Sequence, residues 1–151
     1  MKTGLLLLLF LYAGNSFSQD ETSWIQHIDS TEFKLFYHKK HLPKAFYQIQ
    51  GIETPKELAN PTDRYSPCCT NPVRGQLNWM AKRGGKSLIC ITNGGSAVIT
   101  RVYLLDSNTG KLIAHSSVSP LKPEITFGEF LGLLQSEEVK LEQLNPVDFK
   151  E

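Results

Sequence analysis

The sequence predicts an α+β fold: a four-stranded antiparallel β-meander packed against N-terminal helices and one C-terminal helix, with the helices on one face. Three observations carry that expectation. Between Gln76 and Val118, four β-rich runs are divided by Gly84-Gly85, Asn93-Gly94-Gly95 and the Asp106–Gly110 stretch, the pattern of consecutive hairpins. Ahead of the meander stand three helix-start signals, Ser23 with Gln26, Asp29 with Glu32, and Thr54 with Glu57. Behind it, Phe127, Phe130, Leu131 and Leu134 recur at i, i+3, i+4, i+7, a helical apolar stripe.

The domain begins after an address label. Lys2 supplies a short positive region, Leu5 to Tyr12 an uncharged apolar run, and Ser16 and Ser18 small residues before a cut at Gln19. Residues 1–18 therefore read as a secretory signal peptide, too short and too quickly polar to span a membrane. No cysteine stands at the expected cut after the apolar run, the first being Cys68, so no stable membrane anchor is expected after cleavage. The remaining 19–151 read as one small domain.

In order, Ser23 opens a short helix with Trp24, Ile25 and Ile28 on its apolar side. Asp29 opens a second, in which Phe33, Phe36 and Tyr37 share a face until Pro43. Phe33, Leu35 and Tyr37 also alternate as a strand would; helix is the expectation. Pro43 starts a short helix ended by Gly51, and Thr54-Pro55-Lys56-Glu57 makes about one turn before Asn60-Pro61.

The stretch from Asn60 to Gly75 is long and irregular, with three prolines. A two-residue turn at Gly84-Gly85 then places Trp79 opposite Cys90, Ala81 opposite Leu88 and Leu77 opposite Thr92 on one face, and pairs Met80 with Ile89 on the other. Val102 and Leu104 take one side of the third strand, Tyr103 and Leu105 the other. Lys111–Val118 closes the meander as an edge strand. Thr126 and Glu129 form a capping box, with Ile125 and Phe130 at staple spacing, and Val139–Leu144 extends that helix or forms another.

Charge excludes several functions. Without Lys2 the chain has 15 basic and 15 acidic residues and no basic block, so neither nucleic acid nor an anionic membrane is an expected partner. Asn60 and Asn71 are each followed by Pro, which removes both as glycosylation sites and fits a bacterial periplasmic or extracellular protein.

The chemistry-bearing residues are few. Cys68, Cys69 and Cys90 are an odd number for an exported chain. The expected disulfide ties Cys68 or Cys69 to Cys90, closing a loop of about 21 to 23 residues and stabilising by roughly 3 kcal/mol in the chain-entropy model. The Cys-Cys pair is not Cys-x-x-Cys and sits on a Pro-rich loop, without the features that activate a thiol. His38 and His41 have ligand-like spacing but lysines between them and no third ligand, so no metal site is expected. No fingerprint for a phosphate, a dinucleotide or any other cofactor is present. Arg64, Tyr65 and Arg74 on the long loop are residue types that dominate protein interfaces.

The expectation is thus an exported non-enzymatic binding module, of inhibitor or immunity type, whose partner is another protein. Two alternatives stand beside it. One is a small secreted hydrolase or thiol enzyme whose residues, His115 and a free cysteine among them, converge only in space. The other is a structural envelope component.

Overall fold

The computed structural model of the chain describes residues 29–63, 72–94, 97–118 and 125–143. The expected signal peptide and the expected Ser23 helix start lie outside the described residues.

Asp29 does cap a helical turn, its Oδ1 accepting from the Thr31 amide at 3.1 Å, but the turn is a single 3-10 turn over Ser30–Glu32. The helix expected through Phe36 is instead a strand, β1 (Lys34–Phe36). Its backbone pairs antiparallel with the Met80–Lys82 segment, Leu35 opposite Ala81. Alternation won over the helical spacing because a free sheet edge supplied partners, whereas a short isolated helix is marginal in water.

A second 3-10 turn, Lys39–His41, leads to helix α1 (Lys44–Ile49), which Pro43 opens and Gly51 ends with φ +60°. The Thr54–Glu57 capping box closes one 3-10 turn, Pro55–Glu57, and β2 (Leu58–Ala59) follows directly. The meander is β3 (Gly75–Arg83), β4 (Lys86–Asn93), β5 (Ile99–Asp106) and β6 (Leu112–Ser117). Helix α2 (Phe127–Gln135) starts at Thr126, whose Oγ1 accepts from the Glu129 amide at 3.2 Å. Where helix was expected over Val139–Leu144, the chain forms β7 (Glu142–Gln143).

The sheet is wider than the expected four strands. Among the described residues its order is β1-β3-β4-β5-β6-β7, with β2 also on β3, so three short strands beyond the meander bring the number to seven. β6 is consequently covered by β7 at Ala114 and His115 and is not the sheet's last strand. Among the described strands, only β2 runs parallel to its neighbour.

The first hairpin holds most of the expected register: Trp79 pairs with Cys90, Met80 with Ile89 and Ala81 with Leu88. Leu77 pairs with Ile91 and not with Thr92, because the register shifts between Leu77 and Trp79. A bulge adds one residue, Asn78, and every side chain before it changes face.

The two faces bury separate cores. Trp79, Ala81, Leu88, Cys90, Val102 and Leu104 pack with Phe127, Phe130, Leu131 and Leu134 of α2. Leu77, Met80, Ile89, Ile91, Tyr103 and Leu105 pack with Phe46 of α1 and with Leu42, Ile52 and Leu58. The helices therefore lie on opposite faces, not together on one. Both faces of the strands carry large apolar groups, and each needs its own cover.

Candidate functional site

The outer edge of β3 is shared. β2 pairs with Gly75 and Gln76, and β1 pairs with Met80 to Lys82, so neither strand covers the bulge between them. At this gap Asn78 donates from Nδ2 to Thr92 Oγ1 at 2.9 Å, and Thr92 Oγ1 lies 3.0 Å from Thr100 Oγ1. A polar chain thus crosses three strands where the neighbouring positions are aliphatic. Both threonines are buried, and this chain satisfies their hydroxyls within the protein.

Beside it, Trp79 is buried and donates from Nε1 to the Ile125 carbonyl oxygen at 2.8 Å. Phe127 stands edge-on to the indole, with ring centres 5.1 Å apart, and Phe130 lies at 5.7 Å. Phe33 packs on Phe127 at 5.0 Å. The four rings make a rigid aromatic wall.

Over this wall lies a cleft of about 290 Å³, to which Tyr37, Pro61, Gln76, Asn78, Trp79 and Phe127 contribute. The combination of apolar floor and converging amides suits a binding cleft, though at the small end of the usual range. Gln76 also ties down the start of the long loop. Its Nε2 lies 3.2 Å from the carbonyl oxygens of Asn60 and Pro61 and 3.3 Å from that of Asp63. A wider apolar groove of about 530 Å³ runs along α2, lined by Val118 and Leu133 and edged by Glu129 and Glu138. Its polar groups are the Glu129 and Glu138 carboxylates and the Ser136 hydroxyl, with no side-chain amide like those of Asn78 and Gln76 in the first.

Of the surface residues singled out from the sequence, Arg64 and Tyr65 lie in 64–71, outside the described residues, as do Cys68 and Cys69. Arg74 is described and braces the fold. Its Nε pairs with Glu57 Oε2 at 3.0 Å, and its guanidinium donates to the Gly51 carbonyl at 3.2 Å. It holds the returning end of the loop against the turn that precedes β2.

Cys90 is a free thiol, so the expected bridge from Cys68 or Cys69 to Cys90 is not formed. The strand register aims its side chain into the α2 core, where Asn78 Nδ2 lies 3.5 Å from Sγ. Burial pushes the thiol up to about 12, outweighing the lowering effect of the Asn78 hydrogen bond. A thiol in that state is inert near neutral pH. His115 stands across from Tyr103, ring centres 6.5 Å apart, and Tyr103 belongs to the α1 side. Cys90 and His115 thus occupy opposite faces of the sheet and form no nucleophile–base pair.

No grouping of metal-ligating side chains occurs among the described residues. No described helix is long and apolar enough to cross a membrane.

Sequence reasoning missed the cleft because Asn78 reads as an ordinary strand residue. Its signal was faint: a polar residue between Leu77 and Trp79, two large apolar residues that strict alternation would place on one face.

The class that fold and cleft define is an α+β domain with a mostly antiparallel sheet and an aromatic-walled edge cleft. No protein-family model, curated protein or solved structure matches the chain.

Proposed function

We propose that the mature chain is an exported, non-enzymatic binding module, periplasmic or extracellular, that takes a protein partner at the Trp79 cleft and the Asn60–Gly75 loop beside it. The observation that carries this reading is the union of the two features. Gln76 both lines the cleft and holds the carbonyls of Asn60, Pro61 and Asp63, so a partner seated in the cleft meets the start of the loop.

Two further facts support binding over catalysis. The six cleft residues named above include no carboxylate, amine, imidazole or thiol. Among the described residues, the Cys90 thiol and the His115 imidazole are separated by the sheet. An exposed tyrosine over an aromatic wall, with amides at the rim, is the composition of an interface anchor.

The test is capture from an envelope extract with the mature wild type, a Tyr37→Ala variant and an Arg64→Ala/Tyr65→Ala variant. Tyr37 is 57% exposed, so its removal leaves the core intact. A partner retained by the wild type and lost or weakened about tenfold or more by each variant is the expected result, since interface anchors cost upwards of about 1.4 kcal/mol when truncated. Equal recovery by all three overturns the assignment of this surface.

A further inference from the structure

A second surface lies at the other end of β1, on the α1 side of the sheet. Lys34 and Lys82 are direct cross-strand partners. Like charges placed opposite one another on a sheet repel. Both ammonium groups gather at the Phe36 ring, 5.5 and 5.6 Å from its centre. His41 packs on the same ring at 4.8 Å.

The charges that face His41 are those of Lys40, His38, Lys82 and Lys34, and all of them disfavour its protonation, after desolvation. The acid at this end of the strands, Glu32, is engaged by Arg83 at 2.6 Å. Lys39 is turned away, its ammonium donating to the Leu58 carbonyl at 2.6 Å. The π face of Phe36 attracts the two lysines but neutralises neither. A knot of positive charge is therefore built round one half-buried ring in a mature chain of zero formal charge.

We propose that this patch is a docking surface for an acidic segment of another protein, with Asp or Glu side chains received between Lys34, Lys82 and Lys40 and an apolar neighbour laid on Phe36. Charge complementarity selects the occupant: the patch supplies cations whose mutual repulsion a carboxylate relieves. Compactness favours a peptide over a polyanion. A nucleic-acid or membrane partner would call for a long basic stripe and an overall positive field, and the chain has neither. The surface stands apart from the Trp79 cleft, on the opposite face, so either can fail without the other.

The experiment uses the whole mature chain and a fluorescently labelled hexaglutamate peptide, read by anisotropy at low ionic strength. Binding should weaken about tenfold or more in Lys34→Ala/Lys82→Ala, decline with added salt, and be absent with hexalysine. The thermal midpoint of that variant should equal or exceed the wild type's, because a repulsion is removed. If its midpoint falls, Lys40→Ala/His41→Gln serves as the second variant, with the same loss of binding expected. Unchanged affinity in the folded variants overturns the proposal. So does binding of heparin or duplex DNA as tight as that of the peptide, which would mark a general polyanion surface.

Discussion

Trp79 and Ile125, 46 residues apart, are joined by a 2.8 Å hydrogen bond from the indole Nε1 to a buried backbone carbonyl. This contact fixes where α2 meets the sheet. It also sets the back wall of the cleft, because Phe127 follows two residues later and packs edge-on to the same indole.

Trp79→Phe keeps an aromatic body and removes the donor. The Ile125 carbonyl is then left buried without that partner, which should destabilise the fold by about 1–3 kcal/mol. Trp79→Ala adds a cavity and should cost about 3–5 kcal/mol. Urea unfolding followed by far-UV circular dichroism measures both, and a phenylalanine variant as stable as the wild type would show that the bond contributes nothing net.

Cys90 should be silent in the folded protein. Its thiol is buried with its ionisation pushed up to about 12, so at pH 8 almost no thiolate is present. Iodoacetamide should leave the residue-90 peptide unmodified under native conditions and alkylate it in urea, as read by peptide mass spectrometry. Native labelling of Cys90 would mean that the α2 core opens far more often than its packing implies.

Acid should weaken the fold in two separate ranges. Desolvation against Phe36, then the surrounding positive charges, lower the His41 imidazole below its usual 6.5. Its folded value lies under its unfolded value, so this contribution is present above about pH 6.5 and is lost as pH falls through the folded value. Asp106 is lowered by the amides of Thr109 and Asn108, whose protons its Oδ1 accepts at 2.9 and 2.8 Å. That contribution is present above its ordinary 3.8 and disappears further into acid. His41→Gln should flatten the first decline in urea midpoint and Asp106→Asn the second. A variant whose profile matches the wild type's removes its residue from this account.

Gly110 is required by both backbone and neighbour. It sits at φ +73° in the β5–β6 turn, and a Cβ there would stand 2.6 Å from the Ala45 Cβ of α1. Gly110→Ala should therefore cost more than about 1 kcal/mol, since strain and contact act together. Gly84, with φ +55° but open space around it, should cost less when changed to Ala. Thermal midpoints of the two variants give the comparison, and equal losses would mean that the α1 contact relaxes freely.

Some of this molecule is legible residue by residue. Thr126 and Glu129 start α2, Thr54 and Glu57 close one turn, and Gly110 supplies the positive φ of its hairpin. The pairs Trp79–Cys90 and Ala81–Leu88 follow from placing a two-residue turn at Gly84-Gly85. Phe33 to Tyr37 carries two periods at once, and only the presence of the β3 edge decides for a strand. Leu77 is misplaced by strict alternation because a bulge costs one residue of register and leaves no mark in composition.

What the sequence determined by itself is therefore local: turn chemistry, caps, the period of α2 and the strands of the meander, each set by contacts within a few residues. Tertiary structure decided what depends on distant partners. It chose β1 over helix, sent α1 and α2 to opposite faces, buried Cys90 as a free thiol, and opened the cleft at Asn78. Those outcomes turn on which edge or face remains to be covered once the sheet has formed, and no short window of residues contains that information.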